Sequence, residues 1–63
     1  MQLSTQDFLK KALLDTQEQV RDFMFYSEHT DNPVLKKQFK TFAQEQGVQA
    51  QQMETFLRNI EKH

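Results

Sequence analysis

Thr30-Asp31-Asn32-Pro33 is the one strong break in the chain, and its reading decides the fold. A proline at the first position of a helix lacks only an N–H that would be unpaired there anyway. Asn32 before it suits an N-cap, because its side-chain oxygen accepts from the first free amides. The residue before a proline also disfavours the α conformation. One helix should therefore end near His29 and another start at Pro33. Towards the N-terminus, Ser4 followed by Asp7 three residues on reads as a capping signal. The expectation is a single domain over residues 1–63, with helix at about 5–29, a turn at 30–32 and helix at about 33–61. At the α-helical rise these would be roughly 37–43 Å long.

The hydrophobic spacing agrees. In the second helix, alternating steps of four and three select Leu35, Phe39, Phe42, Gln46, Gln49, Met53, Phe56 and Ile60, a heptad seam. Ala43, Ala50 and Leu57 widen it. In the first helix the same steps select Leu9, Leu13, Thr16, Val20, Phe23 and Ser27, with Phe8, Ala12 and Met24 alongside. Stripes this wide suit a bundle better than a two-stranded coil. Folding the chain at residue 31 sets residue i opposite about 62 − i. Val20 then meets Phe42, Phe23 meets Phe39, Leu9 meets Met53, Thr16 meets Gln46 and Leu13 meets Gln49. The polar interruptions would share one level, between an aromatic layer near the turn and an aliphatic and Met layer near the termini.

Composition bounds the function. The chain has 63 residues, 37% hydrophobic and 27% charged, with net charge −1, one Gly, one Pro and no Cys. Without cysteine there is no disulfide, thiolate metal site or thiol nucleophile. Near-neutral charge argues against nucleic-acid binding, which draws on excess Lys and Arg. A single Gly leaves no Gly-rich phosphate loop. The longest apolar run, Phe23 to Tyr26, is too short to span a bilayer, and no secretory signal is evident, so a cytoplasmic protein without a membrane partner is expected. Six Phe, one Tyr and three Met are a large apolar load for so short a chain. Domains of this size are marginal unless stapled or associated. The expected architecture is an all-α antiparallel two-helix hairpin that dimerises into a four-helix bundle. Its dimer core would comprise Leu9, Leu13, Val20, Phe23, Leu35, Phe39, Phe42, Met53, Phe56 and Ile60.

Gln46 and Gln49 both point to the core side, and a buried amide without partners costs roughly 1–3 kcal/mol. With Thr16, and with Gln17 beside it, they read as a buried polar layer that fixes register across a dimer. Bundle metalloproteins place inward Glu-x-x-His pairs at such positions. Here Gln46 stands in the Glu place and Gln49 in the His place. A neutral amide is a poor carboxylate substitute and offers no imidazole nitrogen, so no metal or other cofactor is expected.

Two resemblances bear on the reading. Thr30-x-Asn32-x-x-x-Lys36-Lys37-x-Phe39-x-x-x-Ala43-Gln44, followed by a Gln-rich helix ending Ile60-Glu61, is similar to a family of very short uncharacterised helical hairpins from spore-forming Firmicutes. It departs from that family in Pro33 and in lacking an acidic Pro-containing tail. Asn32-Pro33-x-Leu35-Lys36 and Phe42-Ala43-x-Glu45 more weakly resemble ferritin-like hairpins of rubrerythrins and spore-coat proteins. Both imply a helical hairpin. The first implies no catalytic residue and a sporulation-related setting. The second implies a metal-binding module or a ligand-depleted derivative of one.

The remaining candidates are few. His29 and His63 are the only imidazoles. His29 suits a helix C-terminus, where a cation is favoured. In an antiparallel dimer His63 could approach it, forming at most an adventitious metal site. A two-helix hairpin offers little concavity for catalysis, so no enzyme is expected. Lys36, Lys37 and Lys40 form a basic cluster that reads as a solvated face or as a docking patch. Phe25 and Tyr26 fall off the first seam, and an exposed aromatic turn there would mark a partner site. Gly47 lies mid-helix, at a cost of about 1 kcal/mol relative to Ala. The expected role is structural or protein-interacting, with the chain itself as partner. The alternative is a small regulator that binds a larger protein through Phe23–Tyr26.

Overall fold

A computed structural model describes residues 4–61. Two helices account for nearly all of them: α1, Thr5–His29, and α2, Pro33–Glu61. They pack side by side as an antiparallel hairpin, as the contacts between α1 and α2 require. No helix is long and apolar enough to cross a membrane among the described residues.

Each helix starts where its cap lies in the sequence. Ser4 Oγ accepts from the Asp7 amide at 3.1 Å, and Asp7 Oδ2 accepts from the Ser4 amide at 3.1 Å, a reciprocal capping box. The Ser4 amide first, and then the Ser4 hydroxyl beside it, hold the Asp7 carboxyl below its ordinary pKa, helped by Lys10. At the second helix, Asn32 Oδ1 accepts from the Val34 amide at 2.9 Å and from the Leu35 amide at 3.1 Å. The Asn32 carbonyl accepts the first helical bond, from the Lys36 amide at 2.9 Å.

The turn needs no glycine. Thr30 ends α1 in an extended conformation, at φ −80° and ψ 141°, while its amide still donates to the Tyr26 carbonyl at 3.0 Å. Its hydroxyl accepts from the Asn32 amide at 3.3 Å. No residue with positive φ occurs among the described residues. Three residues thus reverse the chain using ordinary backbone regions and two side-chain caps.

The line where the helices meet is made of small side chains. Thr16, Ser27, Ala43 and Ala50 are the buried residues. Leu9, Leu13, Val20 and Phe23 of α1 and Phe39, Gln46, Met53 and Leu57 of α2 flank it, half-buried. Within the chain, α2 therefore faces α1 along Phe39, Ala43, Gln46, Ala50, Met53 and Leu57, not along the full expected seam. The stripe has two edges. The Ala edge permits close approach of the helices, which Phe42 and Phe56 would block.

The pairing is also displaced from residue 62 − i. Phe23 does pack on Phe39, with ring centroids 6.2 Å apart, but it lies closer to Phe42, at 5.4 Å. Thr16 meets Met53, not Gln46, and its hydroxyl lies 3.7 Å from Met53 Sδ. Side chains on both helices lean towards their own N-termini. In an antiparallel hairpin, that lean carries α1 side chains away from the turn and α2 side chains towards it. Each α1 residue therefore touches α2 further along the sequence than backbone level alone would give.

Candidate functional site

The hairpin is a single layer of helices, with Cα extents of 47 × 23 × 11 Å. Its two broad faces differ. Successive helical residues turn by about 100°, which sets Phe8, Ala12, Gln19 and Tyr26 of α1 beside Phe42, Gln49, Phe56 and Ile60 of α2 on one face. Gln6, Gln17 and Met24 fall on the other, with Lys36, Lys40, Gly47, Glu54 and Glu61.

The second face carries side-chain bonds from one helix to the other. Gln17 Nε2 donates to Glu54 Oε1 at 3.3 Å, and Gln6 Nε2 donates to Glu61 Oε1 at 3.3 Å. Met24 is the one large exposed hydrophobic there among the described residues. Gly47 has open space where a Cβ would be, so no neighbour within the chain accounts for it.

The first face is apolar at both ends and polar between. Near the turn, Phe23, Tyr26, Phe39 and Phe42 form a continuous aromatic cluster, with Tyr26 and Phe39 centroids 5.5 Å apart. Tyr26, Leu35 and Phe42 remain exposed at its edge. Near the termini, Thr5, Phe8, Leu9, Ala12, Phe56 and Ile60 line an open groove of about 400 Å³ whose walls are almost wholly apolar. Phe8 is 58% exposed and Phe56 63% exposed. Gln19 and Gln49 occupy the middle of the face, both exposed. Asp15, Asp22 and Lys11 stand along its α1 edge, where Lys11 Nζ lies 2.9 Å from Asp15 Oδ2, and Glu45 stands along its α2 edge.

The expected site residues are brought together unevenly. Within one chain Thr16 is buried and donates to the Ala12 carbonyl at 2.8 Å, Gln46 is half-buried and Gln49 is exposed. No bond joins the three among the described residues, so a single chain does not build the polar layer. Of the expected dimer core, Leu9, Leu13, Val20, Phe23, Phe39 and Met53 are half-buried, while Leu35, Phe42, Phe56 and Ile60 are exposed. The group Phe25, Tyr26, Lys36, Lys37 and Lys40 is divided. Tyr26 joins the aromatic cluster and meets the Phe25 ring edge-on with centroids 6.3 Å apart, Lys36 and Lys40 lie on the opposite face, and Phe25 also stacks on His29 with centroids 4.0 Å apart.

His29 closes α1. Its Nδ1 donates to the Phe25 carbonyl at 2.8 Å, since a carbonyl can only accept. His63 lies outside the described residues. No group of three His, Cys, Asp or Glu side chains is placed to hold a metal among the described residues.

Sequence reading under-weighted Ser27. It is completely buried, and its hydroxyl has no hydrogen-bond partner. Its seam position was the available signal.

In comparisons with known proteins, no family model matches the chain, and no curated protein or solved structure is significantly similar to it.

Proposed function

We propose that this chain is a non-catalytic, self-associating helical hairpin, a structural or interaction module whose working form is a homodimeric four-helix bundle. One observation carries the reading: Ala43 and Ala50 are the only hydrophobic residues buried within the chain among those described. The large side chains that should drive folding lie half-buried or exposed. Burying a Leu or Phe contributes about 1.5–3 kcal/mol, and one layer of helices leaves most of that unused. A second layer supplies the missing half of the core. The resemblance to short hairpins of spore-forming Firmicutes accords with such a role, in the cytoplasm of a sporulating cell.

Sedimentation equilibrium tests this directly. At micromolar concentration the expected mass is twice the 7.6 kDa of one chain, with a melting temperature that rises with concentration. A monomeric mass there defeats the reading.

A second reading has its own observation. Phe25, 56% exposed, lies off the contact between the helices, with its ring edge-on to Tyr26 and stacked on His29. A regulator that docks a larger protein through Phe25 would lose that partner in Phe25→Ala while keeping its dimer.

A further inference from the structure

We propose that the apolar face is covered by a second copy of this chain lying head to tail, the turn of each hairpin over the termini of the other, with the two-fold axis at the level of Gln49. This rests on the self-association reading and adds its geometry.

The area fits. A compact folded chain of this mass would expose about 4,300 Å². The hairpin exposes 5,209 Å². The excess, about 900 Å², is close to the ~800 Å² that each partner contributes to a standard interface.

The pattern is self-complementary, as an isologous contact requires. On α2, Phe42 and Phe56 lie seven residues either side of Gln49, on one line of the helix. Rotation about Gln49 lays each on the other's counterpart and Gln49 on itself. On α1, Phe8 and Tyr26 lie nine residues either side of Gln17, and they exchange places in the same way. The two centres share a level. Phe23 packs on Phe42, and Phe8 shares its groove with Phe56. Gln49 is midway between those α2 contacts, opposite residues 15–16 of α1. It thus falls within about two residues, or ~3 Å of rise, of the Gln17 centre. One axis therefore serves both helices.

Charge selects the orientation. Head to tail, α1 lies along the partner's α1, and α2 along the partner's α2. Lys11 and Asp22 share one edge of α1 at nearly equal distances from Gln17, so each faces its opposite on the other chain. Asp15 comes near its own copy there, with Lys11 already bonded to it, so opposite charges outnumber like ones. Turn over turn, α1 instead lies along the partner's α2, and Asp22 faces Glu45 twice over. Like charges there oppose that arrangement.

The chain has no cysteine, so single-cysteine variants report proximity cleanly. Gln49 and Asp15 are exposed, and replacing either leaves the contact between α1 and α2 intact. Gln49→Cys is expected to oxidise to a covalent dimer at least about tenfold faster than Gln51→Cys, which lies away from the face, because a disulfide needs Cα atoms within about 7 Å. An equimolar mixture of Asp15→Cys and Gln49→Cys should yield the two homodimers and little heterodimer, because Asp15 lies at the level of Gln49. Preferred heterodimer formation would show turn over turn, overturning the orientation while self-association stands. A dimeric mass with no cross-link through either position would overturn the choice of face. A monomeric mass would overturn the proposal together with the reading beneath it.

Discussion

The two broad faces of the hairpin are cut from the same two helices, yet only one is finished within the chain. On the polar face, side chains reach across the groove and meet, Gln17 to Glu54 and Gln6 to Glu61. On the apolar face, Phe8 and Phe56 line a groove that nothing in the chain fills. The difference follows from what each face asks of its surroundings. Polar side chains are satisfied by water or by each other at little net gain. Aromatic side chains gain only when water is removed, and two parallel cylinders cannot remove it from their outer sides. Burial needs a second layer, whereas bonding across a groove does not.

The largest test of that contrast is to charge the apolar face. In the proposed dimer Phe56→Asp would remove two aromatic burials, one from each chain, so association should weaken by about 3–6 kcal/mol, a hundredfold or more in Kd. Glu54→Ala, two residues away on the polar face, should leave Kd unchanged and lower stability by no more than about 1 kcal/mol. Sedimentation of both variants compares the faces directly, and equal effects would erase the distinction.

Gly47→Ala probes the polar face from the other side. The new methyl enters open space, so the helix should gain about 1 kcal/mol in denaturant unfolding with no change in Kd. Weakened association would instead show that a partner approaches that face closely. Ser27→Ala tests the line between the faces. The hydroxyl is buried without a partner, so its removal should be neutral or stabilising by up to about 1 kcal/mol. Clear destabilisation would reveal a bond made by that hydroxyl.

The smallest effect is at the N-terminal cap, which belongs to neither face. The Asp7 carboxyl is held below its ordinary pKa by its Ser4 bonds. A lowered folded pKa means that ionised Asp7 favours the folded state above the unfolded pKa. That contribution fades as pH falls through the ordinary carboxylate range and then through the lowered folded value. In acid titrations of helicity, Asp7→Asn should lower stability slightly at neutral pH and flatten the loss over that window, so that the two proteins converge at low pH.

Local chemistry made the hairpin legible. Ser4, Asp7, Asn32 and Pro33 each act within three residues of themselves, so the helix starts and the turn could be read without knowledge of packing. The α1 seam was legible as well: Leu9, Leu13, Thr16, Val20, Phe23 and Ser27, read from spacing alone, are the α1 residues that line or flank the contact. In α2 the stripe has an Ala edge and a Phe edge, and periodicity ranks them equally. The choice came from how closely two helices can approach, a property of the pair. The register of Thr16 on Met53 was hidden because side-chain lean adds to backbone level only once the helices are antiparallel. The place of Phe25 was half legible: adjacent residues diverge on a helix, but that its ring would lie between Tyr26 and His29 depends on the end of α1.

Pro33 has a further consequence. Heptad-like stripes run through both helices, and a chain so patterned could straighten into one continuous rod and trade its second half with a neighbour. A straight rod would need an amide at position 33 for the His29 carbonyl, and the proline ring both lacks it and collides with that carbonyl. The residue that starts α2 therefore also holds the hairpin bent, and copies that associate as proposed would meet as closed units, with the open, strand-exchanging route to filaments disfavoured by about 3 kcal/mol per chain.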